Sequence, residues 1–106
     1  MNTQLKKGAL ELCVLSILGF RDCYGYELAS LISKNIQVSD GTIYPLLKRL
    51  KDDGNVTTYI SEESDGPPRK YYQVTDQGKK VTLELKSEWV DFTKAVNQIL
   101  EGEISE

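Results

Sequence analysis

At Gly54 the hydrophobic period of the chain changes, and that change dictates much of what it can fold into. Before it, Ile43, Leu46, Leu47 and Leu50 recur at i, i+3, i+4 and i+7, the apolar stripe of an α-helix. After it, Val56, Thr58 and Ile60 alternate with Thr57, Tyr59 and Ser61, the pattern of a half-buried strand. Gly54 itself is a plain helix stop. Ser64-Asp65-Gly66-Pro67-Pro68 is turn chemistry, and Arg69 to Thr75 is a second strand with Tyr72 and Val74 on one face. Thr75-Asp76 then caps a last helix, predicted over 76–101. At 1.5 Å per residue that helix runs to about 39 Å, more than the rest of so small a domain can cover.

Two helices precede the stripe. Residues 4–19 carry Leu5, Ala9, Leu12, Cys13, Leu15, Ile17 and Leu18 on most sides, which predicts a buried helix ending at Gly19. A shorter helix from Tyr26 to Lys34 turns Leu28, Leu31 and Ile32 to one face. Asn35 to Val38 is a brief connection, after which Ser39 caps the third helix with Asp40 in its first turn. Pro45 falls in the second turn, where a regular helix loses about 3 kcal/mol. Either the helix kinks there or its first turn is irregular. The order is therefore helix, helix, short turn, helix, hairpin, long helix. It predicts an α+β, mostly helical fold: a winged helix-turn-helix with a long C-terminal dimerisation helix. We divide it into a DNA-binding domain over 1–78 and the dimerisation helix over 79–106.

At 106 residues the chain fits one domain, and its net charge of −3 argues weakly against a nucleic-acid partner. The distribution answers that objection. Residues 1–80 hold 11 Lys and Arg against 10 Asp and Glu, whereas residues 81–106 hold 2 against 6. DNA binding needs positive charge only locally. The third helix supplies it opposite its leucines: Tyr44, Lys48 and Lys51 at i, i+4 and i+7, with Thr42 and Arg49 on the flanks and Ser39 and Gly41 at its start. Hydroxyls and cations together suit phosphate and base-edge contacts. Arg69 and Lys70 place further cations at the base of the wing. The competing reading is a winged helix used only for protein–protein contact, which an apolar rather than cationic face would favour.

Catalysis is disfavoured. The chain has no histidine to serve as a general base near neutral pH and no Gly-rich phosphate loop, and its two cysteines lack a histidine partner. Two cysteines are also too few soft ligands for a thiolate metal site, so no metal or cofactor is expected. Cys13, among Leu12, Val14 and Leu15, is expected to be buried and reduced, and Cys23, in a turn beside Asp22, to be exposed. The longest apolar stretch, Leu12 to Phe20, is broken by Ser16 and Gly19 and is too short to span a membrane. Lys6 and Lys7 before it imitate a signal peptide, but no small-residue cleavage site follows, and the expected location is the cytoplasm.

Five segments in order resemble the PadR family of bacterial transcription regulators, in its short form with a single C-terminal helix. They are Lys7-Gly8-Ala9-Leu10-Glu11, Tyr24-Gly25-Tyr26-Glu27-Leu28, Gly41 to Leu50, Gly66-Pro67-Pro68-Arg69-Lys70-Tyr71-Tyr72 and Thr75-Asp76-Gln77-Gly78. The resemblance implies a homodimer that represses from a palindromic operator in double-stranded DNA. It implies DNA contact by Tyr44 and Lys48 in the recognition helix and by Arg69 and Lys70 in the wing. It also implies that Pro45 is tolerated inside that helix. The family's wing tip is usually basic, whereas Glu62, Glu63 and Asp65 lie near the tip here, so the base of the wing is expected to touch phosphate instead.

On the last helix, Leu85, Trp89, Phe92, Val96 and Ile99 fall at spacings of 4, 3, 4 and 3, a heptad seam of about two heptads. We read it as the dimer interface, packed also against the first helix. Some short members of the family sandwich flat, drug-like molecules between aromatic residues of this helix, and Trp89 and Phe92 resemble that arrangement. Gly8, Ala9 and Ala95 are the small residues that could leave room for such an effector.

Overall fold

A computed structural model describes residues 3–62 and 66–104. Its elements are α1 (Thr3–Phe20), β1 (Cys23–Tyr24), α2 (Gly25–Ser33), α3 (Asp40–Asp52), β2 (Val56–Ser61), β3 (Arg69–Val74) and α4 (Asp76–Leu100). The expected helix-turn-helix and hairpin are present, but the hairpin is part of a three-stranded antiparallel sheet ordered β1-β3-β2. A two-residue strand has no period of its own, and β1 exists only because β3 offers it a partner, with Cys23 opposite Tyr72 and Tyr24 opposite Tyr71.

This pairing corrects the expectation for Cys23. It is fully buried, on the inner face of the sheet beside Tyr72, and burial pushes its thiol from 9.0 up to about 11, with the nearby Glu27 carboxylate adding to the rise. Cys13, expected inside, is only half-buried, because the neighbouring positions Val14 and Leu15 take the core side of α1. Its thiol too is raised by burial.

The core draws on every element before α4. Leu10, Val14, Leu15 and Leu18 of α1 meet Leu28 and Ile32 of α2, Leu47 and Leu50 of α3, and Val56, Tyr72 and Val74 of the sheet. α3 runs unbroken through Pro45, and that ring lies on the exposed side of the helix. The proline has no N–H for the carbonyl of Gly41, itself an exposed residue. Gly54, at φ +81°, ends the α3 segment in the left-handed conformation that favours glycine.

α4 is fastened to the body at its first turn. The Thr75 hydroxyl accepts from the Gly78 amide at 3.0 Å and donates to the Gly54 carbonyl at 2.7 Å. Gln77 Nε2 donates to the carbonyl of Asp53 and to Asn55 Oδ1, at 2.8 and 2.9 Å. A Cβ on Gly78 would fall 2.0 Å from the Asn55 carbonyl oxygen, so only glycine lets the two segments touch. Beyond Leu85, which packs on the core, α4 carries no core residue and extends a molecule whose longest dimension is 61 Å. Among the described residues no helix is long and apolar enough to cross a membrane.

Candidate nucleic-acid interface

α3 is divided lengthwise. Ile43, Leu46, Leu47 and Leu50 are buried, while Ser39, Gly41, Thr42, Tyr44, Lys48 and Lys51 are all exposed. Ser39 holds the N-cap position with extended backbone, but its side chain makes no capping bond. Its hydroxyl instead lies 3.2 Å from that of Thr42, which groups two hydroxyls at the start of the helix. Lys48 is paired with Asp52 one turn on, at 3.0 Å, with both partners well exposed. Such a pair is worth about 0.5 kcal/mol at most, so Lys48 can exchange it for a phosphate or a base edge. Arg49, on the flank, is drawn back towards α1, 3.4 Å from Glu11.

Tyr44 is 46% exposed, and the rest of its ring is supported. A Cβ on Gly25 would sit 2.6 Å from Tyr44 Cε1, so the ring lies over the first residue of α2 and would have to shift for any larger residue there. The recognition helix and the start of α2 are thereby in direct contact.

The wing differs from its expected geometry. The hairpin base is the Val56–Val74 rung, whereas Arg69 lies opposite Ser61 and Lys70 opposite Ile60. These are the last rungs before the loop, so both cations stand at the distal end of the wing and not at its base. Ile60, expected on the inner face with Val56 and Thr58, is exposed for the same reason: the hairpin outruns the core at this end. Because strand side chains alternate, Arg69 and Lys70 also point to opposite faces. The Lys70 ammonium is 5.6 Å from the Tyr72 ring centre on one face, and the Arg69 guanidinium 4.5 Å from the Tyr24 ring centre on the other. Of the three acids near the tip, Glu62 is exposed, and Glu63 and Asp65 lie outside the described residues.

Nothing in the sequence reading singled out the outer face of the sheet. There Tyr24, Tyr71 and Tyr59 stand on one rung across three strands. Tyr71 meets Tyr24 edge-on and stacks on Tyr59, both with ring centres 5.6 Å apart. The Tyr59 hydroxyl donates to Asp22 at 2.6 Å, and Gln73 Nε2 donates to the same carboxylate oxygen at 3.2 Å. The alternation of Tyr59 and Tyr71 with inward residues was legible, but without β1 the third ring had no place.

The family model for the transcriptional regulator PadR-like family matches residues 14–84 of this chain, from the middle of α1 into α4. This chain belongs to the PadR-like family. A PadR-like transcriptional regulator from Bacillus cereus shares 39% identity and a TM-score of 0.86, over 92% of this chain and 97% of that one. A Lysinibacillus sphaericus protein of uncharacterised role is 30% identical over 96% of this chain and 97% of its own length. The Escherichia coli transcriptional regulator YqjI is 32% identical over 92% of this chain, which spans only 43% of that longer protein. The family is one of transcription regulators, not enzymes, and its winged helix makes this PadR-like chain a DNA-binding regulator.

In this PadR-like chain the seam residues of α4 lie on its outward reach. Leu85 and Val96 are half-buried, while Trp89, Phe92 and Ile99 are 39, 57 and 62% exposed. The Trp89 and Phe92 rings are 6.5 Å apart and tilted by 45°. They form one wall of a cleft of about 370 Å³ whose other wall is Gly8, Ala9 and Leu12 of α1, with Glu88 at its edge. Ala95 does not line it. Trp89 also borders a wider groove of about 720 Å³ between α1, α2 and α4 that the sequence did not reveal.

Proposed function

We propose that this chain represses transcription in the cytoplasm by occupying a palindromic operator as a homodimer. The observation that carries the reading is the division of α3, with apolar side chains closed into the core and Thr42, Tyr44, Lys48 and Lys51 presented to solvent. In the reading, Tyr44 and Lys48 reach base edges in the major groove, while Ser39, Gly41, Thr42 and Lys51 approach phosphates at the two ends of the helix. Arg69 and Lys70 contact phosphate from the two faces of the distal wing. An apolar outer face on α3 would have favoured a protein partner instead.

Binding to a duplex from the chain's own promoter region tests this. Lys48→Ala weakens binding by about 1–3 kcal/mol and relaxes specificity if the lysine reads a base. Arg69→Ala lowers affinity for all sequences and flattens the salt dependence by about one phosphate. Half-sites lie about 10 base pairs apart or a multiple of that. Unchanged affinity in both variants, with folding intact, overturns the assignment.

The dimer in this proposal forms along Leu85, Trp89, Phe92, Val96 and Ile99. A flat aromatic effector enters the cleft beside Trp89 and Phe92, where Glu88 favours a cationic one. It releases DNA if it prefers a different separation of the two recognition helices. Trp89 is the only tryptophan. Quenching of its emission by planar cationic dyes is therefore the expected signal, and a broad panel without quenching removes the effector from the proposal.

A further inference from the structure

Residues 24 and 25 are where the recognition helix and the wing meet. The Tyr44 ring lies over Gly25, and the Arg69 guanidinium lies over the ring of Tyr24. Tyr24 is the N-cap residue of α2 and, at the same time, the strand partner of Tyr71. Arg69 lies two residues before Tyr71 on the same face of β3, which makes it the diagonal neighbour of Tyr24, within reach of a long side chain. The ring is itself fixed: Tyr71 stands edge-on to it, Tyr59 stacks on Tyr71, and the Tyr59 hydroxyl is tied to Asp22 in the α1–β1 connection.

We propose that Tyr24 is a positioning residue for DNA binding, whose ring holds the Arg69 cation of the distal wing at a set distance from Tyr44 of the recognition helix. An exposed arginine at the end of a hairpin otherwise samples many rotamers, and fixing it at the moment of binding costs affinity. At 4.5 Å from the ring centre the guanidinium is inside the range of a cation–π contact and still exposed, so its donors are free to meet a phosphate. This inference rests on the proposal that Arg69 contacts DNA.

The experiment measures affinity of the intact protein for the promoter duplex at one salt concentration. It compares the native chain with Tyr24→Phe, Tyr24→Leu, Arg69→Ala and the double variant Tyr24→Leu/Arg69→Ala. Tyr24→Leu is expected to weaken binding roughly two- to five-fold, the scale of an exposed cation–π contact, and Tyr24→Phe to keep native affinity. In the Arg69→Ala background Tyr24→Leu should add nothing, because the cation it orients is gone. A purely structural Tyr24 gives additive losses in the double variant, and that result overturns the positioning role while leaving the Arg69 contact standing. An Arg69→Ala variant of native affinity overturns both. If Tyr24→Leu does not fold, the native protein decides. The Arg69 side-chain protons should resonate upfield through the Tyr24 ring current, and ordinary Arg69 shifts overturn the proposal.

Discussion

The body of the molecule and the far end of α4 use apolar residues in opposite ways. Among the described residues, the fifteen buried apolar residues of the core lie between Leu10 and Val74, and none is in α4. Of the twelve large hydrophobic residues left exposed among those described, seven lie from Leu83 onward: Leu83, Trp89, Val90, Phe92, Ile99, Leu100 and Ile104. The body closes its own core, and α4 beyond its first turns does not. In the proposed dimer the heptad-spaced Trp89, Phe92 and Ile99 among them meet the same helix of a second copy. The two regions are joined by the Thr75–Gly78 turn, which contacts Gly54 and Asn55 just past the end of α3.

The largest expected effect comes from breaking the α4 side of this comparison. Phe92→Asp places a carboxylate in the proposed seam twice, once per copy. Each lost phenyl contact is worth about 1.5–3 kcal/mol of burial, before the cost of desolvating the new charge. The variant should sediment as a monomer at micromolar concentration while keeping native-like helical signal from the body. Light scattering that finds an intact dimer places the interface elsewhere. Because association stabilises only the folded form, the native melting temperature should rise with protein concentration and that of Phe92→Asp should not.

The same contrast explains what the sequence disclosed. The body follows local rules: the stripe of α3, the stop at Gly54, the alternation of Val56 and Thr58, and the cap at Thr75 each depend on residues a few positions apart. Where the reading missed, the missing information was non-local. β1 is two residues long and is created by its partner, so Cys23 was expected outside and is buried. The strand limits were legible, but the rungs that put Arg69 and Lys70 at the distal end depend on the register against β2. Ser39 stands at the N-cap as its residue type suggests, yet its hydroxyl turns to Thr42, a choice between two neighbours that sequence alone leaves open. The seam on α4 was visible as spacing, whereas the cleft beside it needs α1 to supply its second wall.

A smaller effect sharpens the body side. Cys23 is fully buried, and its sulfur lies 3.7 Å from the Arg21 carbonyl, near the Glu27 carboxylate. Cys23→Ser puts a hydroxyl where the thiol behaved as an apolar group, at a cost of about 1–3 kcal/mol. The urea midpoint should fall with the slope unchanged, and by the same amount at low and high protein concentration. A loss that disappears at high concentration would tie Cys23 to the dimer and erase the distinction between the two regions. Titration gives a second check. The folded thiol is raised to about 11 from 9.0, so between these values the unfolded chain releases its proton and the folded one keeps it. The contribution of Cys23 to stability is therefore constant below pH 9 and falls as pH rises from 9 to 11. Subtracting the profile of Cys23→Ala, which lacks the group, isolates that fall. At pH 8 a thiol reagent should modify the half-buried Cys13 first and reach Cys23 only through unfolding, since neither exposure nor thiolate is offered by the native fold. Equal labelling rates for the two cysteines would show that β1 opens from the sheet in the native state, and with it the platform under Arg69.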